Sequence, residues 1–381
     1  MKSVIKVLLG LFILGFLFSA NAKETIKIGA LVAATGPASF LGDPELKTLE
    51  FYVQKINASG GVLGKDIELI AYDTGANPKK ATTFVKRLIN QDEVVAIIGG
   101  SASGETMAIM PFVKKAKIPL VSMAGSIKIV KPVKSYVFKT PATDRMACQK
   151  IFEYLKSKNK TNVALISGNG GFGKSMRGQC KDVASDYGVK IVADETYGPK
   201  DTDMTAQLTK IKNTSNVQAV VNPGFGQGPA IVTKNFKQLG MTQTLVQSHG
   251  VASKKFIELT GKASEGVIVA SPPVVVAELL PASNPIREKG MAYSKEYEAR
   301  YNIATSTFGG YAYDALNLIV NAIRNANSAK PKDIRDALES TKNYVGLNGI
   351  YNMSKDDHLG LNLDSGIKML VIKDGKWELA K

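Results

Sequence analysis

The feature that most constrains the fold of this chain is a regular alternation of short apolar runs with amphipathic segments. The runs TIKIGALVA, DIELIAYD and VVAIIGG are separated by stretches with apolar residues at helical spacing, such as Leu46, Leu49 and Val53. The rhythm pauses at SIKIVKPVKSYVFKTPATD and resumes through NVALIS, VKIVADE, VQAVVNP and TLVQS. Alternating strands and helices predict parallel sheets covered on both faces. We therefore predict an α/β protein with two doubly wound parallel-sheet lobes.

The C-terminal part departs from this rhythm. From Gly266 onward we expect one strand and long helices, including STFGGYAYDALNLIVNAIRNA. The segment IKMLVIKDGKWELA reads as a terminal hairpin that turns at Asp374-Gly375, a dipeptide typical of tight turns.

The N-terminus predicts export. Lys2 and Lys6 precede an apolar run and the sequence Ala20-Asn21-Ala22, the pattern of a secretory signal covering residues 1–22 and cleaved near Ala22. The apolar run is too short for a comfortable membrane span. We expect a periplasmic protein that is a monomer. Its net charge of +16 is scattered over helix faces, which argues against a nucleic-acid partner.

Few residues are available for metal or redox chemistry. The chain has two cysteines, Cys148 and Cys180, and the sequence leaves open whether they form a disulfide. It has two histidines, of which His358 reads as part of a surface turn. Without Cys-x-x-Cys or His-x-x-x-His spacing we expect no metal site, and we expect no cofactor.

The residues that follow each predicted strand indicate binding rather than catalysis. Doubly wound sheets bind ligands at the carboxyl ends of their strands. The loops there are small and hydroxyl-bearing, with Ser101, Ser103 and Ser126 as the best donors to a carboxylate, and they contain no acid. Ser101 misses the G-x-S-x-G pattern by one position, so an exported hydrolase is the weaker alternative. For any single serine, a helix cap is the simpler explanation.

The stretch GNGGFGKS (168–175) matches two nucleotide motifs, G-x-G-x-x-G and G-x-x-x-x-G-K-[ST]. A predicted strand precedes it and a predicted helix follows it, and Asp194 and Glu195 imitate the acid of a dinucleotide site. An exported protein meets no nucleotide pool. We therefore expect the glycines to bring the loop close to another ligand, with Phe172 as its contact residue.

Several segments resemble the periplasmic leucine/isoleucine/valine-binding proteins, the solute receptors of ABC importers. They are KIGALVAATGPASFLGDPELKTLEFYVQKINASGGVLGKDIELIAYDTGANPKKA, IIGGSASGETMA, IPLVSMAGS, GFGKS and SHGVASKKFIELTGKASEGVIV. The resemblance covers essentially the whole mature chain. It implies a non-enzymatic receptor whose two lobes, joined by three crossovers, close on a solute and deliver it to membrane permease subunits. It places one lobe at residues 23–142 and 273–350 and the other at 143–272 and 351–381.

The same resemblance implies site residues. Ser101, with Ser103 beside it, would hold the carboxylate of the ligand, Ala124 would accept its ammonium through a carbonyl, and Ser126 would touch both groups. Four further positions would pack on the ligand: Leu41, Phe172, Phe225 and His249. His249 stands where amino-acid binders usually carry an acid, and the two phenylalanines stand where tyrosines are common.

These departures leave two ligand classes open. A buried ammonium without a carboxylate partner is costly, so the site keeps the carboxylate half of an amino-acid site and loses the other half. A branched-chain amino acid is the class that the resemblance implies. An aromatic or other small monocarboxylate, or an amide, is the alternative. Which importer the protein serves is not visible in the sequence.

Overall fold

A computed structural model describes residues 24–381, so the predicted signal peptide lies outside the described residues. The strands are β1 (Thr25–Val32), β2 (Asp66–Asp73), β3 (Ala96–Gly99), β4 (Leu120–Ser122), β5 (Val137–Lys139), β6 (Asn162–Gly168), β7 (Lys190–Tyr197), β8 (Ala219–Asn222), β9 (Thr244–Gln247), β10 (Ile268–Ser271), β11 (Tyr344–Val345), β12 (Ile350–Tyr351), β13 (Lys368–Lys373) and β14 (Lys376–Leu379). The helices are α1 (Ser39–Ala58), α2 (Pro78–Asn90), α3 (Ser103–Ala116), α4 (Asp144–Ser157), α5 (Gly171–Val183), α6 (Thr205–Asn213), α7 (Gly228–Gln238), α8 (Lys254–Thr260), α9 (Ile286–Tyr301), α10 (Thr307–Ala326), α11 (Pro331–Glu339) and α12 (Leu363–Gly366).

The first lobe is built on a five-stranded sheet of order β2-β1-β3-β4-β5, in which every pairing is parallel. Local chemistry sets its helix starts. Asn77 caps α2 by accepting hydrogen bonds from the amides of Lys79 and Lys80, and Pro78 occupies the first helical position. The almost wholly apolar face of α10 packs on α1 and on strands β3 and β4, which closes the core of this lobe.

The second lobe is built on a seven-stranded sheet of order β14-β13-β10-β9-β8-β6-β7. From β7 to β10 the strands pair in parallel and repeat the winding of the first lobe. β13 and β14 add the predicted antiparallel hairpin at one edge. Its turn residues Asp374 and Gly375 both have positive φ, at 48° and 67°, as a two-residue hairpin turn requires.

The chain passes between the lobes three times, through residues 140–143, 272–285 and 352–367. Tyr351, the residue before the third connection, anchors the first one: its hydroxyl lies 2.9 Å from the carbonyl oxygen of Thr140 and 2.9 Å from a carboxylate oxygen of Asp314 in α10. Asp314 also accepts from the amides of Leu347 and Asn348. The predicted fold of two doubly wound lobes with three crossovers is confirmed, while the residue limits of each lobe stay a prediction.

His358 corrects one expectation. It does not lie in a surface turn but is fully buried in the third crossover, stacked on Phe138 at 4.1 Å between ring centroids. Its ring nitrogens contact the carbonyl of Val137 at 3.0 Å and a carboxylate oxygen of Glu339 at 3.1 Å. The residue therefore helps to pack the crossover against the first lobe.

The two cysteines form a disulfide that joins α4 to α5, which settles the question that the sequence left open. In the part of the chain that the structure describes, no helix has the length and apolar character needed to cross a bilayer.

Candidate ligand-binding site

A small cavity lies between the lobes, where the carboxyl ends of the strands of both sheets face one another. Its volume is about 30 Å³, room for about two water molecules. It is lined by Leu41, Ser101, Ala102, Ser103, Met123, Gly125, Pro141, Phe172, Phe225, His249, Gly250, Phe308 and Tyr311.

The position of the cavity follows from strand order. In the first sheet the order reverses between β1 and β3, and in the second between β6 and β8. The loops after such strands diverge and leave a crevice, which is where doubly wound folds bind ligands. Leu41 follows β1, Ser101 and Ser103 follow β3, Phe172 follows β6 and Phe225 follows β8.

Six of the eight predicted site residues line the cavity and two do not. Ala124 and Ser126 are both buried in the same loop, but Met123 and Gly125 are the residues that face the space. Leu41 lines the cavity from within a helix, because α1 begins at Ser39.

Ser101 is held from behind by two groups of its own lobe. Its Oγ accepts a hydrogen bond from the amide of Ala33 at 2.9 Å and is hydrogen-bonded to Oε2 of Glu45. Glu45 is fully buried, and burial raises its pKa well above the ordinary value. The raised pKa favours the neutral form of this carboxyl group. In this structure the hydroxyl of Ser101 donates its hydrogen bond to Glu45.

Ser103 begins α3, so the amides of this first turn have no acceptor within the helix. The amide of Ala102 is satisfied by Oε1 of Glu105 at 2.9 Å, and Oγ of Ser103 accepts from the amide of Ser126 at 3.2 Å. The remaining amides and the positive end of the helix favour a negative charge in the cavity.

Aromatic rings form the wall that belongs to the second lobe. Phe172 meets Phe225 edge to face with ring centroids 6.2 Å apart, and meets His249 in the same way at 5.2 Å. From the first lobe, Phe308 and Tyr311 of α10 complete the apolar lining. This wall suits a hydrocarbon or aromatic group on the ligand.

His249 is the polar residue of that wall. It is 3% exposed, and neither ring nitrogen has a hydrogen-bond partner among residues 24–381. Burial, together with the nearby charge of Lys139, lowers its pKa to about 3. The imidazole ring is therefore uncharged at physiological pH. One ring nitrogen can donate a hydrogen bond to a ligand and the other can accept one.

The two lobes touch beside the cavity. A Cβ atom at Gly125 would lie 2.7 Å from Nε2 of His249 and 2.7 Å from a ring carbon of Phe172, so only glycine fits there. The hydroxyls of Ser126 and Ser175 are 2.6 Å apart across the cleft. Ser126 thus joins the lobes in this structure instead of lining the cavity.

In a second contact between the lobes, the first turn of α3 meets the first turn of α5, and the residue on each side is a glycine. A Cβ atom added to Gly171, the first residue of α5, would lie 3.0 Å from both the Cα and the amide nitrogen of Gly104 in α3. Such a distance is shorter than ordinary carbon contacts. The backbones of α3 and α5 therefore meet as closely as glycine allows.

The nucleotide-like motif is accounted for without a phosphate. Lys174 is exposed on α5, and Phe172 enters the cavity as expected. Asp194, which stands where a dinucleotide site would have its acid, accepts two hydrogen bonds of 2.6 Å from Arg177 and one of 2.9 Å from Lys181. Its charge is therefore used to fasten α5 to β7.

The contributors that sequence reasoning missed include Glu45, Lys139 and Tyr311. Glu45 lies one helical turn beyond Leu41, and an acid on an apolar helix face is the signal that points to it. Lys139 ends β5, which has only three residues and was hidden in the pause between the lobes. Tyr311 is on α10, the second helix after the second crossover, and sequence spacing gives no indication that this helix reaches the cleft.

Comparisons with known proteins agree with this architecture. A profile described as "Periplasmic binding protein" matches residues 25–367. The leucine-, isoleucine-, valine-, threonine- and alanine-binding protein of Pseudomonas aeruginosa is 24% identical over 331 residues, covering 86% of each chain. The Leu/Ile/Val-binding protein of Escherichia coli K12 is 22% identical over 282 residues, covering 74% of this chain and 76% of its own.

Solved structures extend the likeness to the whole fold. An extracellular ligand-binding receptor from Rhodopseudomonas palustris HaA2 matches with a TM-score of 0.86 and 28% identity, covering 93% of this chain and 99% of its own. A branched-chain amino acid transporter substrate-binding protein from Streptococcus pneumoniae, solved with isoleucine, matches with a TM-score of 0.83 and 28% identity, covering 94% and 99%. These relatives are binding receptors, not enzymes, and with them this chain belongs to the type I periplasmic binding proteins, in the leucine/isoleucine/valine-binding family.

Proposed function

We propose that this chain is the exported solute receptor of an ABC importer and that its two lobes close on a small monocarboxylate. The receptor role is supported by the family and by the cavity between the lobes. The importer's permease subunits would be the partners of the solute-loaded protein. The predicted signal peptide supports a periplasmic location, and we propose that the receptor acts there as a monomer.

The observation that carries the ligand class is the absence of an ionisable acid among the residues that line the cavity. A buried ammonium needs an anionic partner, and its burial without one costs several kcal/mol. Burial raises the pKa of Glu45, the acid behind Ser101, and so disfavours the charged form that an ammonium would need. The start of α3, Ser101, Ser103 and neutral His249 can satisfy a carboxylate, whereas nothing in the lining balances an ammonium.

The apolar part of the ligand is limited by the aromatic wall. In this arrangement the rings of Phe172 and Phe225 and the contact of Gly125 with both His249 and Phe172 leave a cavity of about 30 Å³. A solute as large as leucine therefore requires the lobes to stand slightly further apart or the rings to rotate. Short-chain and flat aromatic acids need the smallest adjustment.

Matched pairs of ligands test this proposal directly. 4-Methylpentanoate is leucine without its amino group, and 3-phenylpropanoate stands in the same relation to phenylalanine. We expect thermal-shift and calorimetric titrations to show the acid binding more tightly in each pair. A ligand at about 100 times its Kd adds about 2.7 kcal/mol to the free energy of unfolding. Tighter binding of both amino acids would refute the monocarboxylate.

A branched-chain amino acid is the second candidate, because two relatives are named for binding leucine, isoleucine and valine. The variant His249→Glu separates the two candidates. It places an acid where an ammonium would need one, so it should weaken binding of 4-methylpentanoate and strengthen binding of leucine. Tight wild-type binding of leucine that is lost in His249→Glu would contradict the role given to this position.

A further inference from the structure

Lys139 is a buried lysine of the first lobe. It is the last residue of β5 and is 0% exposed. Its Nζ donates to the carbonyl of Gly125 at 3.1 Å and to that of Ala142 at 3.3 Å. Both partners are neutral carbonyl oxygens, so the charge is solvated by dipoles and not by a bonded carboxylate. Burial lowers the pKa of Lys139 to about 7.

The ammonium lies directly behind the cavity wall. Gly125 lines the cavity, and so does Pro141, the neighbour of Ala142. On the opposite side His249 lines it too, with both ring nitrogens unpartnered within the described chain, and the charge of Lys139 contributes to the low pKa of that ring. The positive charge of Lys139 therefore acts on any group that occupies the cavity.

Buried acids of three helices lie around Lys139 and the cavity. Asp144 at the start of α4 favours the protonated form of Lys139, but its Oδ1 also accepts from the amides of Ile127 and Arg145. The other buried acids near the cavity, Glu45 of α1 and Glu105 of α3, have pKa values that burial raises.

We propose that Lys139 determines the preference of the receptor for anionic solutes, and that an anion entering the cavity brings about uptake of one proton from solution by this side chain. The inference rests on the proposed function, since it requires a carboxylate ligand. The ligand-free protein holds a mixture of amine and ammonium near neutral pH. An anion stabilises the ammonium, so the proton is bound together with the solute and released with it.

The sign of the pH dependence follows from linkage. Affinity for a carboxylate should be greatest where Lys139 is already protonated and should fall as the pH rises above 7, by up to tenfold per pH unit. At pH 7 about half a proton should be taken up per ligand, approaching one at higher pH. His249 does not supply this proton in the same range, because its pKa of about 3 lies far below it.

Calorimetry on the full-length mature protein tests the proposal with 4-methylpentanoate and its neutral amide as probes. Titrations in phosphate and in Tris, whose ionisation heats differ, give the number of protons taken up between pH 6.5 and 8.5. We expect uptake and a falling affinity for the acid, and neither for the amide. Acid binding that is independent of pH, with no proton uptake, would overturn the role of Lys139 even without a variant.

The variants Lys139→Met and Lys139→Arg complete the test. Lys139→Met should bind the acid about tenfold or more weakly and lose the pH dependence, while keeping its affinity for the amide. Lys139→Arg should bind the acid with no pH dependence, because arginine stays charged. Equal acid binding by wild type and a folded Lys139→Met would refute this inference alone. Binding of leucine but of no monocarboxylate would instead refute the proposed function.

Discussion

The glycine pair between the lobes allows a test of whether the lobes meet in the solute-bound state as they do in this structure. In Gly171→Ala the new Cβ would lie 3.0 Å from the backbone of Gly104 and 3.3 Å from the methyl carbon of Met107. Carbon atoms pack best at about 3.5 to 4.0 Å, so α3 and α5 must separate by about half an ångström. Overpacking of this kind costs about 1 to 3 kcal/mol.

That cost falls on the closed state alone. When the lobes are apart, the methyl group meets nothing across the cleft, and alanine is at least as good as glycine in a helix. The ligand-free protein should therefore unfold at an unchanged temperature, while solute affinity falls about 5- to 150-fold. Small-angle scattering should show a less compact solute-bound protein than the wild type.

Gly178 of the same helix provides the matched control, since a Cβ there would have no atom within 4 Å. Gly178→Ala should raise the free energy of unfolding by about 0.5 to 1 kcal/mol and leave affinity unchanged. The reasoning is refuted if Gly171→Ala binds as tightly as Gly178→Ala, or if both variants bind equally poorly.

Three further predictions concern the second lobe and its contact with the first. Lys174→Ala should leave solute affinity unchanged, and calorimetry should detect no ATP or NAD binding in the wild type, because Lys174 is exposed and Phe172 is the residue that lines the cavity. Micromolar ATP binding that is lost in the variant would contradict this. Replacing Cys148 and Cys180 with serine should lower the free energy of unfolding by about 2 to 4 kcal/mol in denaturant titrations, with little effect on affinity; unchanged stability would show that the bond constrains nothing. Ser126→Ala and Ser175→Ala should each weaken solute binding by about 0.5 to 1.5 kcal/mol. The double variant should weaken it by no more than either single variant, and additive losses would mean that the two hydroxyls do not act as a pair.

The sequence predicts the fold well because hydrophobic periodicity records it directly. Most of the apolar runs that it marks are strands, and both lobes wind in the order expected of alternating strands and helices. The strand-end rule finds Ser101, Phe172 and Phe225 because each directly follows a recognisable strand. These residues can therefore be identified from local pattern and topology alone.

The remaining site residues depend on contacts that no local pattern encodes. Lys139 was missed because a three-residue strand is too short to show a periodicity. The role of Ser126 as a contact between lobes depends on where Ser175 lies across the cleft. The raised pKa of Glu45 follows from its burial beside α10 residues that are distant in sequence, such as Tyr311, so it appears only in three dimensions.

The packing of α10 against the first sheet has a consequence for biosynthesis. Strands β1 to β5 are made within the first 139 residues, but the helix that covers them ends only at Ala326. At about 5 to 20 residues per second, ribosomes need roughly 10 to 35 s to travel from Lys139 to Ala326. Throughout this interval the first sheet has an uncovered apolar face and cannot complete its core. Under the proposed export, this delay would keep the nascent chain competent for translocation.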